Sequence, residues 1–261
     1  MKDSKLTLLG TGTCQLEESR RASSALVELE SCRLVFDLGR GIADRLAALG
    51  LRQDDVRHIV FSHFHPDHLS DLIPYLQAAT WSKVDPRSVD LHLWGPRGHE
   101  SQMMRLLSLF EAGVLTPPPL LGEWRVHLHE VGSGEGLEIE GCRFAFDPLP
   151  PAGNHGLRFE QGGEVVGLTG DAFFGPELVD FLSRCTLGVF DSGHLEEDEI
   201  VELAARCQTP RLVCSHVYRP LDVRALEARA RERGFKGRLT MGHDLDRFSL
   251  SGVAPADRGA G

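Results

Sequence analysis

His63-Phe64-His65-Pro66-Asp67-His68 stands between an apolar run, His58-Ile59-Val60-Phe61, and an amphipathic segment that starts at Leu69. Three of these residues are imidazoles, which suit zinc and other first-row metals, and a fourth is a carboxylate. A strand over 56–62 would put the stretch where a strand ends and a helix begins. His63 and His65 then point the same way, because extended backbone alternates its side chains with a period of two. Asp67 and His68 lie past the turn and reach a neighbouring point. The simplest arrangement is one ion on His63 and His65 and a second on Asp67 and His68. A lone histidine is usually structural. Three histidines with an aspartate, in so short a stretch between strand and helix patterns, read as a metal site.

Further donors stand at strand ends in the second half. Gly170-Asp171 follows the strand pattern Val165–Leu168, Asp191-Ser192-Gly193-His194 follows Gly188–Phe190, and Ser215-His216 follows Leu212–Cys214. Strand ends on one edge of an α/β sheet are where sites are built. A carboxylate has two oxygens, so Asp171 suits a bridging position, and His216 can complete the second ion. Taken singly, Asp171 could be a helix cap and His216 a turn residue. His194 is a candidate catalytic group, since imidazole titrates near neutrality. Asp67 can both ligate and accept a proton from the nucleophile.

The chain has 261 residues and a formal net charge of −10. That length supports a large buried core. The acidic balance gives no general attraction to nucleic acid, whose binding rests on Lys and Arg meeting phosphates. Six cysteines occur without a Cys-x-x-Cys spacing, which reads as reduced thiols rather than a zinc ribbon or a disulfide framework. No secretory pattern or transmembrane run is seen, and the expectation is a cytoplasmic protein with no membrane contact.

Strand and helix patterns alternate along the chain. Leu6–Leu9 ends in the turn Gly10-Thr11-Gly12-Thr13, where the glycines read as a turn rather than a phosphate loop. A hairpin is expected around Ser31 and a helix over Ile42–Leu49. Leu69–Trp81 reads as a helix that Pro74 kinks or breaks. His127 and His129 share one strand face and are assigned a surface or packing role. Thr116-Pro117-Pro118-Pro119 is the expected boundary between two similar halves of a single domain, residues 1–252. Residues 253–261 read as a flexible tail.

His-x-His-x-Asp-His after an apolar strand resembles the metallo-β-lactamase superfamily of metallohydrolases. The resemblance implies an α/β fold, a four-layer αβ/βα sandwich with the metal site at one edge between two sheets. Gly10-Thr11-Gly12-Thr13, Arg20-Arg21-Ala22-Ser23-Ser24, Gly156-Leu157-Arg158-Phe159-Glu160 and the His194–His216 pair are similar to the ribonuclease Z branch. In that branch the first histidine of the pair is catalytic and the second a metal ligand. The metal set implied is His63, His65, Asp67, His68, Asp171 and His216, with Asp67 and His194 catalytic. The branch has a further metal histidine where this chain carries Pro150 or Pro151. Either His155 replaces it, which is the reading carried forward, or water or another group fills the position.

The expected function is a metal-dependent hydrolase, a phosphodiesterase using a hydroxide activated by two divalent ions. Zinc is favoured; manganese and iron suit the same donors. Glu160-Gln161-Gly162-Gly163-Glu164 leaves no room for the long insertion with which ribonuclease Z enzymes grip transfer RNA. The expected substrate is therefore a small-molecule or short nucleic-acid phosphodiester. The alternatives are another ester, a thioester, a sulfate ester or a lactam on the same site, and then a non-catalytic or redox relative. A homodimer is common in the resembled branch.

Overall fold

Residues of period two line the strands, and their alternate side chains enter different cores. In the computed structural model, which describes residues 4–110, 120–121, 123–132 and 134–250, Ala25 and Val27 point to one core while Leu26 points to another. Leu34 and Phe36 part in the same way from Val35, and Val213 from Leu212 and Cys214. A strand apolar on both faces must be covered on both, so the chain stacks in layers.

The first sheet opens with antiparallel strands β1 (Lys5–Gly10), β2 (Ser24–Glu28) and β3 (Arg33–Phe36). Parallel strands β4 (His58–Val60) and β5 (Leu91–Pro96) extend it. Strand β6 (Leu120–Leu121) pairs antiparallel with β7 (Trp124–Val131), which lies parallel to β5. The second sheet has the same rhythm. Antiparallel β8 (Gly136–Ile139), β9 (Cys142–Leu149), β10 (Asn154–Gln161) and β11 (Glu164–Leu168) are followed by parallel β12 (Leu187–Asp191), β13 (Arg211–Ser215) and β14 (Arg238–Met241). Strand β15 (Arg247–Ser249) returns to pair with β1.

Helices α1 (Ile42–Ala48), α2 (Pro66–Leu69), α3 (Leu72–Trp81) and α4 (His99–Phe110) belong to the first half. Ile42, Leu46, Leu72, Tyr75, Leu76, Met103 and Leu107 bury their apolar stripes on the outer face of the first sheet. Helices α5 (Pro176–Ser183), α6 (Glu197–Cys207) and α7 (Val223–Glu232) cover the second sheet through Leu178, Phe181, Ile200, Leu203 and Leu226. Leu6, Leu8, Phe144, Phe146, Leu157 and Leu168 fill the space between the sheets. The result is the expected αβ/βα sandwich.

Several local expectations are corrected. The helical stretch after the histidine motif breaks at Ser70-Asp71, not at Pro74. Asp71 turns away to bond Leu38 O through its own N–H (3.1 Å) and to accept Ala43 N–H on its carboxylate (2.9 Å). Pro74 falls in the first turn of α3, where a missing N–H costs nothing. Strand β10 starts at Asn154 rather than Leu157, because pairing with β9 continues to Asn154↔Leu149. Strands β14 and β15 were not legible; they are short, and β15 pairs with the far end of the chain. The Thr116–Pro119 boundary and the 253–261 tail lie outside the described residues.

Candidate metal centre

The parallel strands β4, β11, β12 and β13, with β3, send their carboxyl ends to one edge of the sandwich, and the site is assembled there. His63 and His65 follow β4. The four-residue α2 starts at Pro66 and carries Asp67 and His68. Its first turn abuts the chain after β3 so closely that a Cβ on Gly39 would lie 1.8 Å from Asp67 O. Asp171 follows β11 through Gly170, which has φ +64°; a Cβ there would also meet Ser62 Cβ at 2.5 Å. Only glycine meets both demands. Asn154 fixes that turn by donating from Nδ2 to Thr169 O (3.1 Å) and to Asp171 O.

Asp171 lies at the centre. One carboxylate oxygen is 2.9 Å from His68 Nε2 and 3.3 Å from His216 Nε2. The other is 3.4 Å from His63 Nε2, 3.6 Å from His65 Nδ1 and 3.9 Å from His194 Nδ1. Asp67 Oδ2 is 3.4 Å from His216 Nε2 and 3.9 Å from His68 Nε2. Three overlapping sets of donor atoms converge: His63, His68 and Asp171; Asp67, His68 and His216; Asp171, Asp191, His194 and His216. His65 stands at the rim, its side chain 64% exposed and its ring 4.5 Å from that of His63.

His155 joins none of these sets among the described residues. It sits at the same edge, its N–H bonded to Ser62 O (3.1 Å). Because β10 begins at Asn154, His155 shares the inner face with Leu157, and its ring lies flat on Phe146 at 4.6 Å with a 6° interplanar angle. Its place as the stand-in for the Pro150/Pro151 histidine stays an expectation, with the ring stacked beside the three donor sets and Nδ1 buried without a hydrogen bond among the described residues. Asp171 is no helix cap, since the cap of α5 is Gly175.

Two aspartates hold the donors from behind. Asp37, at the end of β3, accepts Ser62 N–H and Ser62 Oγ–H (both 2.8 Å) and contacts His68 Nδ1 at 2.7 Å. Ser62 Oγ in turn lies 2.9 Å from His63 Nδ1. Asp191 accepts the N–H groups of Ala172 and Gly193 (both 2.8 Å), and contacts His194 Nδ1 at 2.6 Å and His216 Nδ1 at 3.3 Å. Sequence reasoning placed Asp191 in a strand-end cluster without a role of its own and passed over Asp37. The available signal was position: like Asp171, each directly ends or follows an apolar strand. Asp37 and His216 have positive φ, 61° and 52°, which costs a non-glycine residue about 1–2 kcal/mol. Such strain is held at sites by surrounding bonds, here Val217 N–H to Thr11 O (2.9 Å) for the His216 turn. The Gly10–Thr13 turn therefore packs behind the site.

The residues present fit divalent ions. His63 Nε2, His68 Nε2, His216 Nδ1 and Asp171 Oδ1 are buried without a hydrogen bond among the described residues. Burial works to raise the Asp171 carboxyl, but His63 and His68 hold it far below the usual carboxylate range. Burial works to lower His216, but the neighbouring carboxylates of Asp191 and Asp67 raise it to about 9. The Asp191 hydrogen bond raises His194 above its ordinary value. Carboxylate charge concentrated on buried imidazoles is the setting in which a cation replaces protons. His127 and His129 lie elsewhere, stacked on His92 and Trp94 respectively at 4.7 and 3.9 Å.

The family described as Metallo-beta-lactamase superfamily matches residues 20–216. A ribonuclease Z from Mycobacterium sp. (strain KMS) is 26% identical over 94% of this chain and 96% of its own length. The metallo-beta-lactamase fold protein YhfI from Bacillus subtilis superposes with a TM-score of 0.74 at 16% identity, over 95% of this chain and 99% of its own. Human tRNase Z, short form, gives 0.70 at 18% identity, over 94% and 99%. No helix among the described residues is long and apolar enough to cross a membrane. The chain belongs to the metallo-beta-lactamase superfamily, as a metal-dependent hydrolase with ribonuclease Z-like relatives.

Proposed function

We propose that the chain is a phosphodiesterase that acts on small or short nucleic-acid phosphodiesters with two divalent ions, zinc being favoured. The observation that carries this reading is the Asp191–His194 pair beside the donors centred on Asp171. His63, His65 and Asp171 would hold the first ion, and Asp67, His68, Asp171 and His216 the second. When bound, such a pair lowers the pKa of water and takes up charge on phosphoryl oxygens. Asp67 orients the nucleophile and accepts its proton. His194 Nδ1 faces Asp191, which fixes the ring and leaves Nε2 to face substrate and protonate the leaving oxygen.

The relatives named ribonuclease Z support phosphodiester chemistry over the other ester classes. A smaller substrate than transfer RNA is supported by the β10–β11 connection. Gln161 pairs with Glu164, so Gly162-Gly163 is a two-residue turn that holds no insertion. The net charge of −10 agrees. A cytoplasmic location agrees with all of this. The test is hydrolysis of bis(p-nitrophenyl) phosphate, beside a thioester and nitrocefin, with metal content measured on the same sample. Two equivalents of metal and activity on the phosphodiester alone are expected. Preference for the thioester or nitrocefin overturns the reading.

A further inference from the structure

Phe173 stands two residues past the central carboxylate and is 44% exposed. A single exposed phenylalanine is ordinary on a protein surface. The position of this one is not, because its ring lies 5.4 Å from that of His194, tilted by 60°. Its backbone is fixed, with Phe173 N–H bonded to Pro150 O at 2.9 Å. Tyr218 meets the same histidine at 5.5 Å and 78°, and meets His216 at 5.3 Å and 84°. His194 and His216 are themselves stacked at 5.2 Å and 18°. Aromatic faces thus continue outward from the metal donors to an exposed ring.

We propose that Phe173 is a stacking surface for a flat ring carried by the substrate's phosphate, a nucleobase or an aryl group. The inference rests on reading the cluster as a phosphate-ester site. A phosphate at the cluster leaves the attached group beside His194, where the leaving side must lie if His194 protonates it. Phe173 is the next surface outward, and a planar group there covers apolar area that otherwise faces water. Every nucleobase presents a π-face, so such a surface accepts flat rings with little sequence preference. A sugar or alkyl group of similar size gains less, because it cannot lie flat on the ring. Phe173 is thereby a specificity residue that selects the group on the phosphate, while the cluster selects the phosphate.

The experiment is calorimetric binding to the zinc-loaded protein, with inorganic phosphate, ribose 5-phosphate and adenosine 5′-monophosphate as probes. Adenosine 5′-monophosphate is expected to bind about tenfold tighter than ribose 5-phosphate, near the lower end of what one base–aromatic stack contributes. Phe173→Ala should abolish that difference and leave phosphate affinity unchanged, and Phe173→Trp should keep it. Equal affinities in the wild type, or an equal loss for all three probes in Phe173→Ala, overturn the inference alone. Failure of phosphate itself to bind overturns the phosphodiesterase reading and the inference with it. Ring-dependent binding without hydrolysis of any phosphodiester leaves the inference standing and removes the reading.

Discussion

Asp37 Oδ2 lies 2.7 Å from His68 Nδ1, and both side chains are buried, at 1% and 0% exposure. The same carboxylate holds Ser62, which holds His63. One residue at the end of β3 therefore sets the tautomer and the ring angle of two metal-ligand candidates. Partners of this kind hold the ligating nitrogen toward the ion and raise its basicity.

Asp37→Asn is expected to weaken metal binding by about 10–100-fold, the usual effect of losing such a partner. Asparagine tolerates the left-handed backbone at this position, so the fold should survive. Chelator competition measures the affinity, and circular dichroism checks the fold. Unchanged affinity would remove the positioning role.

For His194, the expectation separates chemistry from metal. His194→Ala should lower turnover by about 100-fold or more, as loss of a general acid does, with the metal content unchanged. Its side chain is 27% exposed and its Nδ1 lies 2.6 Å from Asp191, nearer than the 3.9 Å to Asp171. Parallel loss of metal and turnover would make it a ligand instead.

His155→Ala should retain both equivalents of metal, because the ring is stacked on Phe146 rather than turned to the donors. The cost is packing, on the order of 1–3 kcal/mol, read by urea denaturation. Loss of one equivalent would make His155 a ligand of the first ion.

His99 supplies a pH test of stability. It is fully buried between Phe61 and Phe64, and burial lowers its pKa to about 4. The unfolded chain takes up the proton near pH 6.5 and the folded one only near 4, so the unfolded state binds more protons between those values. Stability is therefore full above about pH 6.5 and falls as the pH drops toward 4, by about 3 kcal/mol from this residue. His58, also held at about 4 by burial, adds in the same direction. Urea midpoints at pH 7 and pH 5 check it. Equal midpoints would mean that His99 is accessible to protons in the folded state.

The candidate metal centre stands out along the chain because four of its donors are neighbours. His63, His65, Asp67 and His68 need only a strand end, a proline at the first helical position and one turn to converge. Asp171 and His216 stand out as candidates because each comes just after an apolar strand, and strands of one sheet share an edge. The layered fold was legible for a similar reason, since two-faced apolar strands alternating with one-faced helices have few ways to be covered.

Other features depend on partners far away in the chain. Nothing local distinguishes Asp37 and Asp191, which hold the donor histidines, from other aspartates at strand ends. His155 sits beside Gly156 as a candidate ligand, yet the register of β9 and β10 lays its ring on Phe146. Phe173 reads as an ordinary apolar residue until β12 brings His194 against it. The choice of candidate ligands follows from side-chain chemistry at short spacing. The direction a ring faces, and what holds it there, comes from strand pairing and packing between residues the sequence keeps far apart.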